Sequence, residues 1–268
     1  MTPVAAPRRP RRLGRVHWGG LATLYRREMR RFFKEWLETI AASGFATVMY
    51  LAVFAFALGP DRETPEGAAV MAFILPGLVL FSILTRAGET TVSSIVYDKL
   101  EGIISDMLTA PLTPGEIAAA YALAGASAGL VTGAPVVLAA LLFFDLTILD
   151  PALFLLFAVG GALMLSLIGI MAGIWAMKWD HVSAFFGFFF IPLTFLSGLF
   201  APIEALPGPL TLIVQANPAF YVIDGFRAAT LGVHSVPVGR SVAVTLALII
   251  ALWAGCGAVL RSGWRLKS

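Results

Sequence analysis

Six long runs of apolar residues, nearly free of charge, alternate with short polar stretches along the chain, over about residues 39–59, 68–96, 115–144, 152–177, 181–200 and 237–260. About 20 residues rising 1.5 Å each cross the hydrocarbon core of a bilayer as a helix. Strands of a membrane barrel would show shorter segments of about ten residues with strict alternation. Continuous runs of this length predict helices, which satisfy their own N–H and C=O groups where no water is present. The pattern is that of an all-α membrane protein with six transmembrane helices.

Two stretches depart from it. From Leu21 to Leu37 the apolar residues Leu21, Leu24, Tyr25, Met29, Phe32, Phe33, Trp36 and Leu37 recur at spacings of three and four, with Arg26, Arg27, Arg30, Arg31 and Lys34 between them. This predicts a basic amphipathic helix lying in the inner membrane interface. The second runs from Ala201 to Pro237, where Pro202, Pro207, Pro209 and Pro218 break any continuous helix, yet Leu206, Leu210, Leu212, Ile213 and Val214 are too apolar for a free loop. Short re-entrant helices at about 201–217, between spans five and six, satisfy both facts when protein shields their ends. Asn217-Pro218 reads as a helix start and Gly232 as a stop, with Asp224 and Arg227 three apart between them.

Composition narrows the class. The 268 residues are 59% apolar and 13% charged, with mean hydropathy +0.86, against about 25% charge in a typical soluble domain. A soluble enzyme cannot be built on that surface. No cleavable signal pattern precedes the first run, so that span is expected to stay in the protein. Of the basic residues, ten precede Thr39, and Lys99, Lys178, Arg261, Arg265 and Lys267 fall on the same side of the six spans. The opposite side keeps Arg62, Arg227 and Arg240. The excess of Lys and Arg marks the cytoplasmic side and puts both termini there. Residues 1–20 read as a disordered basic cytoplasmic tail attracted to anionic lipid rather than to nucleic acid, and residues 21–268 as one transmembrane domain.

Familiar chemistry is absent from the sequence. It has no phosphate loop and no His-Glu-x-x-His pattern; His17, His181 and His234 are scattered, and Cys256 is the single cysteine. Catalytic and metal-binding residues are therefore not expected. Candidate positions of other kinds remain. Arg86 and Glu89 share one face of span two near the inner interface, where they pair or meet a substrate. Span five carries Phe185, Phe186, Phe188, Phe189 and Phe190, followed by Phe195. Arg86, Glu89, Phe185, Phe188, Phe189 and Phe195 are the candidates for a substrate path, with ordinary packing and lipid contact as the alternative for the aromatics. Gly125, Gly129 and Gly133 form a small-residue stripe on span three, and Gly169 and Gly173 repeat the spacing on span four. The stripe permits close helix approach without naming the partner helix, in this chain or in a second copy. Between spans two and three, a short amphipathic helix from about Leu100 to Thr109 ends before Pro111. Its apolar residues Ile103, Ile104, Met107 and Leu108 fit either a docking surface for another protein or a helix lying on lipid.

The ordered set of segments resembles a family. An amphipathic basic helix, "ILPGLVLFS" in span two, "LEGIISDMLTAPLTPGEIAAAY", "WDHVSAFFGFFFIPLTFLSGLFAPIEALPGPL" and "NPAFYVIDGFRAATLG" are similar to the ABC-2 type permeases of bacterial ATP-driven exporters. The likeness is to the branch of nodulation-factor, daunorubicin and YadH-like export permeases, and it covers about Leu21 to Ser268. It implies a permease in the bacterial inner membrane that pairs with a second copy, each copy docking a separate ATPase subunit. On that resemblance the coupling helix falls within about residues 100–111, with Glu101, Gly102, Ile103, Ile104, Asp106, Met107, Leu108 and Pro111 as its ATPase-coupling residues. The external re-entrant helices fall on about Pro202 to Asn217. ATP and magnesium would be bound by the partner, leaving no cofactor and no bond chemistry in this chain. With 20 Phe but five Tyr and six Trp, the chain favours an amphipathic or lipid-linked cargo over a sugar channel. An ATP-independent secondary transporter or channel is the alternative. It would place ionisable groups near the membrane midplane, and the spans carry almost none beyond Arg86 and Glu89.

Overall fold

The structure, a computed structural model, describes residues 17–58, 70–199, 203 and 207–265. Most of the basic tail, Arg62 and part of the Pro-rich segment after span five lie outside the described residues. Regular structure among the described residues is entirely helical. Helix α1 covers Trp18–Lys34, and a π-helical segment, Leu37–Ala42, leads into α2, Ser43–Leu58. Then follow α3 (Val70–Leu100), α4 (Ile103–Thr109), α5 (Pro114–Phe143) and α6 (Pro151–Trp175). The second half holds α7 (Trp179–Phe185), α8 (Ile191–Phe195), α9 (Gly208–Ala216), α10 (Pro218–Leu231) and α11 (Val238–Ser262).

Local chemistry sets the boundaries. Thr113 caps α5 in a reciprocal box with Glu116, and Pro114 occupies the first turn, where its missing N–H costs nothing. Asp150 caps α6 by accepting from Ala152 N at 2.9 Å and Leu153 N at 3.0 Å, again ahead of a proline. Asn217 accepts from Ala219 N and starts α10, and Gly232, at φ 73°, ends it in the left-handed region. Helix α1 opens at Trp18, three residues before the amphipathic pattern at Leu21, because His17 Nδ1 accepts from Gly20 N at 3.0 Å. Its inward face is Leu24, Glu28 and Phe32; Phe33, Trp36 and Leu37 are exposed.

Four helices, α3, α5, α6 and α11, are long and apolar enough to cross a membrane. A fifth candidate arises if α1 and the segment Leu37–Val53, bent by 71° from it, are taken together. The expected first span is thus divided between a π-helical segment and the 16-residue α2. The expected fifth span is the succession of α7, a π-helical turn at Phe186–Phe190 and α8. Pro192 accounts for the interruption: its ring removes an N–H and crowds the carbonyl four residues back, and a widened turn just upstream relieves both. By contrast α3 continues through Pro76.

Helices in lipid gain nothing from hiding apolar surface from lipid tails, so they associate through close packing of small residues. The glycine stripes do this within one chain. Helix α3 lies between α5 and α6. A Cβ on Gly129 would stand 2.5 Å from the Ile83 carbonyl, one on Gly125 would meet Thr91 Oγ1 and lie 2.9 Å from the Ala87 carbonyl, and one on Gly133 would strike the Ile83 side chain. From the other side, Gly169 and Gly173 approach Gly88 and Ile95. Helix α10 packs against α3, α6 and α11 and is buried at nearly every position, with Phe226 against Phe154. Some hydroxyls in this apolar interior bond back to carbonyls of their own helix, as Thr91 does to Ala87 O at 2.9 Å and Thr230 to Phe226 O at 3.1 Å. Cys256 is buried and donates to Leu167 O at 3.3 Å, a packed core thiol.

Candidate functional site

The basic end of the bundle gathers α1, the last turns of α3, α6 and α11, and the first turns of α5. Between α3 and α5 the chain reverses through Gly102, whose φ of 72° is accessible to glycine without strain, and then forms α4. Asp98, in the last turn of α3, has no exposed surface. A carboxylate there must be compensated. It accepts from Arg27 Nη2, from Arg31 Nη2 at 2.7 Å and from the Tyr121 hydroxyl of α5. Arg27 also reaches Tyr121 at 3.0 Å, and Glu28, buried on α1, takes Arg27 Nη2 at 2.7 Å and Arg31 Nη1 at 3.3 Å. The Arg31 guanidinium lies 4.6 Å from the centre of the Tyr97 ring. Burial of the Arg27 guanidinium favours its neutral form, but Tyr121, Glu28 and Asp98 around it outweigh that and hold its pKa above the ordinary value.

This network joins α1, α3 and α5, and α4 rests on it. Met107 Sδ stands 3.3 Å from the Tyr121 oxygen. Ile104 and Met107 are buried, 3% and 7% exposed, in an apolar cluster with Leu24, Ile95, Ile117 and Tyr121. The helix face expected to dock another protein is therefore turned into the bundle at these two positions, and Ile103 and Leu108 are half-buried. Packing against α1, α3 and α5 explains the apolar stripe. Exposed along α4 and its flanks are Leu100, Glu101, Gly102, Ser105, Asp106, Thr109, Pro111 and Thr113.

Neighbouring groups close the same end. Lys99 Nζ donates to the carbonyls of Ile174 at 2.7 Å and Ala176 at 2.6 Å, supplying partners that the last turn of α6 lacks. Arg265 Nη1 donates to Trp175 O at 2.8 Å. Glu116 accepts from His17 N at 2.5 Å and pins the start of α1 to the start of α5.

Beside the network opens a cavity of about 1260 Å³ between α1, α3 and α7. Its α1 wall carries Arg26, Arg27, Arg30, Arg31 and Lys34; its α3 wall carries Arg86 and Glu89, paired at 3.4 Å. Trp179, Val182 and Phe186 form an apolar side. Of the proposed substrate-path residues, then, Arg86 and Glu89 share this cavity. Phe185, Phe188 and Phe189 instead line a separate shallow apolar depression with Ala172 and Trp175, and Phe195 is exposed on the outer face of α8. The structure does not bring the six together. Asp98, Tyr121, Glu28, Arg27 and Arg31 were not singled out by the sequence pattern. One signal was present: two arginines four apart on one helix face, and a lone carboxylate ending an apolar run.

Among the described residues, an all-helical bundle with several membrane-length helices and a short helix held at its basic end is the architecture of a multi-pass membrane protein. The ABC-2 type transporter family model matches residues 20–231, and the chain belongs to that family. Over 253 residues it is 29% identical to the inner membrane transport permease YadH of Escherichia coli strain K12, covering 94% of this chain and 99% of that protein. The same figures hold for the proteins of that name from Escherichia coli O157:H7 and Shigella flexneri.

Proposed function

We propose that this protein is the membrane subunit of an ATP-driven exporter in the bacterial inner membrane, and that α4 receives the stroke of a separate ATPase. The observation that carries this reading is the mounting of α4. A seven-residue helix outside the apolar spans is keyed by Ile104 and Met107 into the junction of α1, α3 and α5, while Glu101, Ser105, Asp106 and Thr109 face outward. Force applied to that polar face reaches three helices at once through buried contacts. In this reading the chain crosses the membrane six times, with α2 and the broken α7–α8 unit as the two short spans. Both termini are cytoplasmic, α1 lies along the inner interface, and α9 dips back from the outer side. Residues 21–268 form one transmembrane domain that pairs with a second copy, and two ATPase subunits bind ATP and magnesium. The chain itself makes and breaks no bonds. Its cargo is amphipathic, lipid or lipid-linked, and leaves the cytoplasm or the inner leaflet.

The test is reconstitution. The permease alone should hydrolyse no ATP; with its cognate ATPase it should form a complex of two permeases and two ATPases whose hydrolysis is stimulated by cargo. Transport that survives ATP depletion but collapses with an uncoupler overturns the proposal.

A further inference from the structure

The geometry points to the cavity between α1, α3 and α7 as a binding site for a phosphate group, the anionic end of the cargo; this rests on the exporter reading for its transport role, though not for binding. Three observations carry it. First, the charge is unbalanced. Arg27 and Arg31 are engaged by Asp98 and Glu28, and on the same wall Arg26, Arg30 and Lys34, without ion-pair partners among the described residues, stand against one unpaired carboxylate, Glu35. Second, Arg86 projects into the cavity from α3 with its Nε buried and no hydrogen-bond partner, while Glu89 holds only Nη1. The buried Nε is out of a ligand's reach, but the guanidinium charge is met by a single carboxylate oxygen at 3.4 Å, and a planar guanidinium fork is matched by the oxygens of a phosphate. Third, the cavity joins opposite characters. Arg86 lies twelve residues above Asp98 along α3, about 18 Å at the rise of a helix, and Phe186, Val182 and Trp179 line the adjoining wall. Thr90 and Ser93 add hydroxyls beside Glu89. The volume of about 1260 Å³ exceeds what an inorganic anion fills and suits a head group with part of its chains.

The shared chemistry is phosphate, carried either by a lipid head group or by a soluble anion. Full-length permease is equilibrated with mixed micelles holding equal amounts of phosphatidic acid and phosphatidylcholine, and the retained lipid is identified by native mass spectrometry. The site should retain phosphatidic acid over phosphatidylcholine. Arg86→Gln should cut that retention roughly tenfold, the loss expected for a charge-assisted hydrogen bond. Arg30→Gln, at an exposed position with no protein partner and hence no risk to folding, should cut it several-fold; Arg261→Gln, at the end of α11, should leave it unchanged. Inorganic phosphate in large excess separates the sources: displacement of the lipid assigns a soluble phosphate, and persistence of the lipid assigns a head group. Equal retention of both lipids, or wild-type retention in both Arg86→Gln and Arg30→Gln, overturns the inference. The measurement needs no ATPase, so failure to assemble with one would count against the exporter reading alone.

Discussion

Replacing Asp98 by Ala should release α1 from the bundle. Asp98 is the sole carboxylate at the meeting point of α1, α3 and α5 without exposed surface, and it accepts from Arg27, Arg31 and Tyr121. Removing one member of a fully buried ion pair costs about 3–5 kcal/mol, because the abandoned charge stays in a low dielectric. Here the arginine side chains retain 35% and 27% of their exposure. Both can turn toward water, and Glu28 still holds them, so the expected loss is reduced to about 2–3 kcal/mol. Unfolding of purified permease in a mild detergent measures that loss, and limited proteolysis after Arg26 and Arg27 reads the release of α1. A double-mutant cycle with Arg31→Gln should return a coupling of about 1–2 kcal/mol. Tyr121→Phe, which leaves both arginines on the carboxylate, should cost only about 1 kcal/mol. If Asp98→Ala shifts stability by less than about 0.5 kcal/mol, or if α1 stays equally protected, the network does not anchor the helix and the reasoning fails.

Further outcomes follow from the packing. Gly129→Ala should destabilise by about 1–3 kcal/mol, since its Cβ would sit 2.5 Å from the Ile83 carbonyl and backbone cannot rotate aside. Gly255→Ala, in α11 with nothing within 4 Å, should instead be neutral or stabilising by up to about 1 kcal/mol; thermal unfolding of the pair distinguishes them. Asn217→Ala removes the cap of α10 and the amide that donates to Leu193 O and, at 3.0 Å, to Leu196 O. A loss of about 2 kcal/mol is expected in the same assay. Glu101→Lys with Asp106→Lys should weaken ATPase binding, followed in pull-down titrations, while leaving the stability of the permease within about 0.5 kcal/mol, because both positions are exposed.

Part of what depends on neighbours in sequence was legible before the structure. Proline after a capping residue marked α10, with Asn217-Pro218, and apolar length marked α3, α5, α6 and α11. The glycine spacing on α5 announced close approach, but a stripe of small residues names no partner; that α3 fills it depends on Ile83 and Ala87, some 40 residues earlier. Amphipathicity in α4 announced one protected face, and the bundle supplied the protection instead of a docked protein. That reverses the obvious experiment: Ile104→Asp would disrupt the cluster beneath α4 rather than report on docking. Beyond the paired arginines and the lone carboxylate, the Asp98 network could not be read in advance because its members come from three segments, with Arg27 71 residues and Tyr121 23 residues away. The six substrate-path candidates were grouped by character, and the fold separates Phe185, Phe188, Phe189 and Phe195 from the cavity holding Arg86 and Glu89.

The central claim is that an ATPase acts on the outward face of α4, and a single cross-link tests it most directly. Ser105 is exposed on that face, and Cys256 is the one native cysteine. With Cys256→Ser as background, Ser105→Cys carrying a short photoactivatable cross-linker should trap the cognate ATPase in the assembled complex, whereas Arg240→Cys at the other end of the bundle should trap none. An assembled complex that gives no adduct from Ser105→Cys, or gives as much from Arg240→Cys, would contradict the account.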